Sequence, residues 1–240
     1  MKIKIAILSI IALICYYMLY GCGSQEVNSQ TNSIVTNTVE NDFGLTNLYD
    51  KAISESGKGI PELYGTRNFR VVLKHTLYRS GGNNTYLPTP RSNMNPLPPI
   101  ALENLCKAGI QTSVYNYTTN FDTAQKNIVC LKNSLRYLQI DPKSKPKELL
   151  TLVKWHIDNN KVMLDHCWNG HHNSGLASAY TLMQFCSWNN TKALAYWIKN
   201  TDGDSGAAYE SIKQRIRVFK PYEDLKISVE KQTEICYFQE

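Results

Sequence analysis

Cys167 is the residue around which chemistry can be built. It lies in the stretch Leu164-Asp165-His166-Cys167-Trp168-Asn169-Gly170-His171-His172-Asn173-Ser174-Gly175. The apolar run at 162–164 reads as a buried strand, and a helical pattern starts near Ser174. A cysteine at a strand end, a tight turn and a helix N-terminus together aim main-chain N–H groups at one point, which makes an anion site. Such a field favours the thiolate, the nucleophilic form of a cysteine. Gly170 lets the turn curl without the cost of a Cβ. Two other readings stand beside this one. Cys167 can be a plain core thiol. His166, Cys167, His171 and His172 also form a dense soft-ligand set, with Cys167 and His171 four apart as on one helix face, although a loop turns successive side chains in different directions. No cofactor is called for.

The elements that must position this stretch are legible around it. Strands are predicted over 68–73, over 76–82 running into a glycine turn, and over 110–115, 128–131 and 135–140. A short helix over 99–108 stops at Gly109. Leu149, Leu150, Leu152, Val153 and Ile157 give a helical stripe over 146–159, with Pro146 at its entrance. Further helices follow over 174–186, over 191–199 capped by Asn190, and over 205–219 as a last amphipathic helix. Asp202-Gly203-Asp204 reads as a turn. Alternating strands and helices predict one α/β domain over 61–222, with a central mixed, mostly parallel sheet flanked by helices.

The loop resembles that of the cysteine-dependent dual-specificity and tyrosine phosphatases, whose pattern is His-Cys-x-x-Gly-x-x-Arg-Ser/Thr-Gly between a strand and a helix. The matches are His166, Cys167, Gly170, Ser174 and Gly175. Leu77-Tyr78-Arg79-Ser80-Gly81 is similar to the segment that opens many bacterial members, and Ile140-Asp141-Pro142 falls where the family keeps a mobile general-acid Asp. The resemblance spans about 68–186 and implies a phosphatase-like fold. It implies that Cys167 attacks phosphorus, that Ser174 hydrogen-bonds the thiolate, and that Asp141 protonates the leaving oxygen. The amides of Trp168, Asn169, Gly170, His171, His172, Asn173 and Ser174 would hold the phosphate oxygens. Asp141 also fits a plain Asp-Pro turn, and Arg79 a structural donor beneath the loop. Asn173 stands where the family places an arginine. Losing that charged fork costs roughly 3–4 kcal/mol, about 10²–10³ in rate, so the expectation is binding of phosphate or a phosphorylated ligand with weak or absent hydrolysis. An active phosphatase with an altered loop is the alternative. A metal- or thiol-based function of the His/Cys cluster is the third reading.

The rest of the chain bounds where this happens. Of its 240 residues, 42% are apolar and 19% charged, and the net charge of +6 is spread without a Lys/Arg block, which excludes a nucleic-acid groove. Lys2 and Lys4 precede an apolar run over 5–20 that ends in Leu19-Tyr20-Gly21-Cys22. This reads as an export signal over 1–21, and its end resembles a bacterial lipobox, which implies a lipid on Cys22 and an envelope-anchored protein. A polar tether is expected over 23–60, and a C-terminal tail over 223–240. Cys106, Cys130, Cys186 and Cys236 can form two bridges if Cys167 is the reactive thiol, or remain core thiols.

Overall fold

The computed structural model describes residues 43–52, 66–82, 96–131 and 133–237. The expected signal peptide, Cys22 and most of the tether lie outside them. The elements run β1 Arg67–Leu73, β2 Leu77–Gly81, α1 Pro99–Lys107, β3 Thr112–Tyr115, β4 Asn127–Cys130 and β5 Asn133–Gln139. They continue with α2 Pro146–Asp158, β6 Met163–Cys167, α3 Asn173–Phe185, α4 Asn190–Lys199, α5 Glu210–Val218 and α6 Val229–Ile235.

Six strands form one mixed sheet in the order β1-β2-β6-β3-β5-β4. The inner four are parallel, and β1 and β4 add antiparallel edges. Strands β2, β3 and β6 are buried on both faces and carry buried polar residues among apolar ones, whereas β5 and the edge strand β4 alternate exposed and buried positions. Helix α1 covers one face through Ala101, Leu102 and Leu105, against Phe69, Tyr78, Leu135 and Leu164. Helices α2 to α6 cover the other, packing on Val72, Leu77, Val114 and Met163. This is the expected single α/β domain with a mostly parallel sheet flanked by helices.

Four details differ from the sequence reading. The cap of α4 is Asn189, whose side chain accepts from Lys192 N; the amide of Asn190 instead donates to the carbonyls of Ile216 and Phe219, closing α5. The expected helix over 205–219 divides into a 3-10 turn, Ala207–Tyr209, and α5. Residues 223–237 are not a tail. Leu225, Ile235 and Cys236 are buried, Cys236 is bridged to Cys186, and Lys74 N donates to Ile235 O. The sequence hid this because the apolar residues there are few and far apart. Residues 43–52, placed in the tether, also pack: Leu45 and Leu48 are buried, and Ala52 bridges Phe69 along the outer edge of β1.

Candidate functional site

Cys167 is the last residue of β6 and, among the described residues, the free cysteine. The other four pair as Cys106–Cys130 and Cys186–Cys236. The Cys167 Sγ lies 3.2 Å from the Oγ of Ser174, in the first turn of α3. Side chains alternate across β6, so Asp165 shares the α3 face with Cys167 while His166 points to the other.

The loop from 168 to 172 is seated by close backbone contact with the end of β2. Gly170 has φ +76°, and a Cβ there would lie 2.7 Å from Gly81 N; a Cβ on Gly81 would lie 2.6 Å from the Asn169 carbonyl carbon. Gly82 N donates to Cys167 O, and the Asn68 amide donates to Asn169 O. Glycine is thus required by space at both Gly170 and Gly81, and at Gly170 by backbone angle as well.

His166 serves the frame. Leu97 N donates to the Tyr137 hydroxyl oxygen, and that hydroxyl in turn lies 2.7 Å from His166 Nε2. The Tyr137 hydroxyl thus links the Leu97 backbone to the His166 ring and holds the imidazole in place. Burial brings the imidazole down to about 3, a main-chain contact with Cys167 working against it.

The two loop histidines turn outward. His171 Nε2 meets Asn68 Nδ2 at 3.0 Å and Asp202 at 3.2 Å. Burial lowers it to about 4, so it carries no charge at neutral pH. His172 reaches Asp204 and stacks on Tyr209 with ring centroids 3.7 Å apart, while Trp197 Nε1 donates to His172 O. The turn Asp202-Gly203-Asp204 is therefore the outer wall of the loop, a role its sequence did not signal. His166, Cys167, His171 and His172 diverge, and among the described residues no group of three His, Cys, Asp or Glu side chains is placed to hold a metal ion.

Asn173 is buried, and its amide donates to Asn116 O at 2.9 Å. Asn116 also ties its N–H to His166 O and its amide to Ile140 O. Sequence reasoning missed Asn116; a lone Asn after a strand carries no signal for this. Asp141 accepts from Lys143 N and Ser144 Oγ, so its hydrogen bonds lie within the turn that leads into α2.

Beneath the loop, β1, β2 and β6 place Arg70, Arg79 and Asp165 side by side in register. All three are buried. Arg70 donates to Asn200 Oδ1 at 2.8 Å, and burial lowers it to about 10, with the neighbouring Arg79 adding to the effect. Burial pushes the Asp165 carboxyl up to about 8, against the pull of Asn116 and Arg79.

The site is thus a buried thiol and a buried hydroxyl brought together across a tight strand-to-helix loop that contributes no Lys or Arg side chain. No protein-family model and no curated protein matches the chain. Among solved structures, it is similar to a crystal structure of Pseudomonas aeruginosa TpbA, at 16% identity and a TM-score of 0.42, over 73% of this chain and 92% of that one. A second similar structure is a cysteine-to-serine variant of TpbA in complex with phosphotyrosine, at 14% identity and a TM-score of 0.38, over 72% and 99%.

Proposed function

We propose that this is a membrane-anchored protein with a dual-specificity/tyrosine phosphatase-like domain that binds phosphate or a phosphorylated ligand at the 167–174 loop and hydrolyses it weakly or not at all. The anchor rests on Leu19-Tyr20-Gly21-Cys22 after the apolar run, and lipid on that cysteine would hold the domain outside the cytoplasm, on the cell envelope. The observation that carries the binding reading is Asn173. It occupies the place of the loop arginine, and its amide is committed to Asn116 O rather than to the loop mouth. Main-chain donors at a helix N-terminus can hold an oxyanion, but the charge spreading in phosphoryl transfer is stabilised best by a planar guanidinium.

The second reading, an active phosphatase, is favoured by one contact: Cys167 and Ser174 stand as a nucleophile and its hydroxyl partner. Turnover of p-nitrophenyl phosphate separates the two. The expected result is no turnover above that of Cys167→Ser, together with a rise in melting temperature on adding tungstate. Turnover that Cys167→Ser abolishes would establish the enzyme; absence of both turnover and tungstate stabilisation would remove the anion-binding reading.

A further inference from the structure

We infer that Arg79 supplies the positive charge that the loop lacks, so that an oxyanion above Cys167 is held by loop amides together with a guanidinium buried directly beneath them. The inference rests on the anion-binding reading and assigns the cation of that same site.

Arg79 is fully buried, and its Nε, Nη1 and Nη2 all lack a hydrogen-bond acceptor among the described residues. A guanidinium is permanently charged and presents five donors. Burying one without an acceptor is costly, and native structures avoid it unless a partner arrives from outside the chain. Its neighbour Arg70, on the same sheet face, shows the ordinary arrangement: an amide oxygen at 2.8 Å and the Asp202 carboxylate at 3.7 Å. Arg79 has instead the face of Tyr196, 5.4 Å from ring centroid to guanidinium carbon.

Its position is under the start of α3. A Cβ built on Gly175 would lie 3.1 Å from Arg79 Nη1. The guanidinium therefore packs under the first turn of α3, one residue beyond Ser174, and the absence of a side chain at 175 leaves it that space. Its field reaches the loop, since it is one of the charges that hold His171 down. Burial pushes the carboxyl paired to it across the strands, Asp165, up to about 8, which weakens that carboxyl as a counter-charge to Arg79. Of the other loop side chains, Asn173 is neutral, His171 is uncharged and faces Asp202, and His172 faces Asp204.

The test is a tungstate titration of the full chain by calorimetry, for the original protein, Arg79→Gln and Arg79→Lys. Arg79→Gln is expected to weaken tungstate binding roughly 10- to 100-fold, the loss of a charged hydrogen-bonding partner. Arg79→Lys, which keeps the charge without the planar fork, is expected to fall between. Asn173→Arg is expected to raise affinity more in the Arg79→Gln chain than in the original chain, since only there does it replace a missing charge; an equal gain in both would mean that Arg79 does not act on the anion. Should Arg79→Gln fail to fold, Arg79→Lys decides alone: affinity equal to the original overturns the assignment, and weakened affinity with an unchanged melting temperature supports it. If the original chain binds tungstate and the folded Arg79 variants bind it equally well, Arg79 is not the cation. If the original chain does not bind tungstate, the anion-binding reading itself fails.

Discussion

The chemistry of the site is set by a few charges placed where water is absent. Asp165 is the clearest case. Its carboxyl sits at about 8 against an ordinary 3.8 because it is fully buried. The folded chain therefore keeps this proton over a range in which the unfolded chain has released it. The contribution of Asp165 to stability is whole below about pH 4, falls as pH rises, and is gone above about pH 8. Asp165→Asn is expected to flatten this part of the pH profile, by up to several kcal/mol on a scale of about 1.4 kcal/mol per pKa unit. Urea unfolding at pH 5 and pH 8.5 measures it, and identical slopes in both proteins would contradict the assigned proton. His166 and His171 act in the opposite sense, since their folded values lie below the ordinary 6.5; what they contribute is lost as pH falls through the acid range. Asn173→Arg belongs to the same scale. It removes the tie to Asn116 O and leaves a buried carbonyl wanting, at a cost of about 1–3 kcal/mol, while placing a guanidinium where the loop has none.

At the scale of elements, the loop is as good as its seat on β2. Gly170 and Gly81 approach so closely that neither position has room for a methyl group, and Gly170 is also left-handed. Gly170→Ala must push the 168–170 turn off the end of β2 or distort the strand. The expected outcome is a loss of several kcal/mol, from strain at a left-handed residue plus a backbone clash, and loss of tungstate stabilisation in the protein that remains folded. Thermal unfolding with and without tungstate reads both. A variant with unchanged stability would mean that the loop is not pressed against β2.

At the scale of the molecule, two bridges hold what the sheet alone does not. Cys106–Cys130 pins α1 to the edge strand β4 across a sequence separation of 24, and Cys186–Cys236 pins the C-terminal helix to the end of α3 across 50. Loop-closure entropy gives about 3–4 kcal/mol for each. A reductant is expected to lower the urea midpoint sharply, and alkylation of the unfolded, unreduced chain should label Cys167 alone among the five cysteines from Cys106 onward. Labelling of Cys186 or Cys236 would break the assigned pairing.

The amino-acid order by itself determined the strands and the helices up to α5, apart from caps and ends, and the frame of the loop. Both are local: periodicity within a segment, and Cys167, Gly170 and Ser174 spaced between an apolar run and a helical pattern. It did not place residues 43–52 and 223–237 in the core, because Leu45, Leu48, Leu225 and Ile235 are too sparse to make a pattern and find their partners only across the sheet. The tertiary structure alone decided the strand order, which cysteines pair, and which way His171 and His172 face. It also placed Arg70, Arg79 and Asp165 in one buried row. Those three come from strands brought side by side by hydrogen-bond register, and register depends on residues far apart in the chain. That is why Arg79 reads in the sequence as one residue of a short strand and emerges in the fold as a buried guanidinium whose nitrogens find no hydrogen-bond acceptor among the described residues.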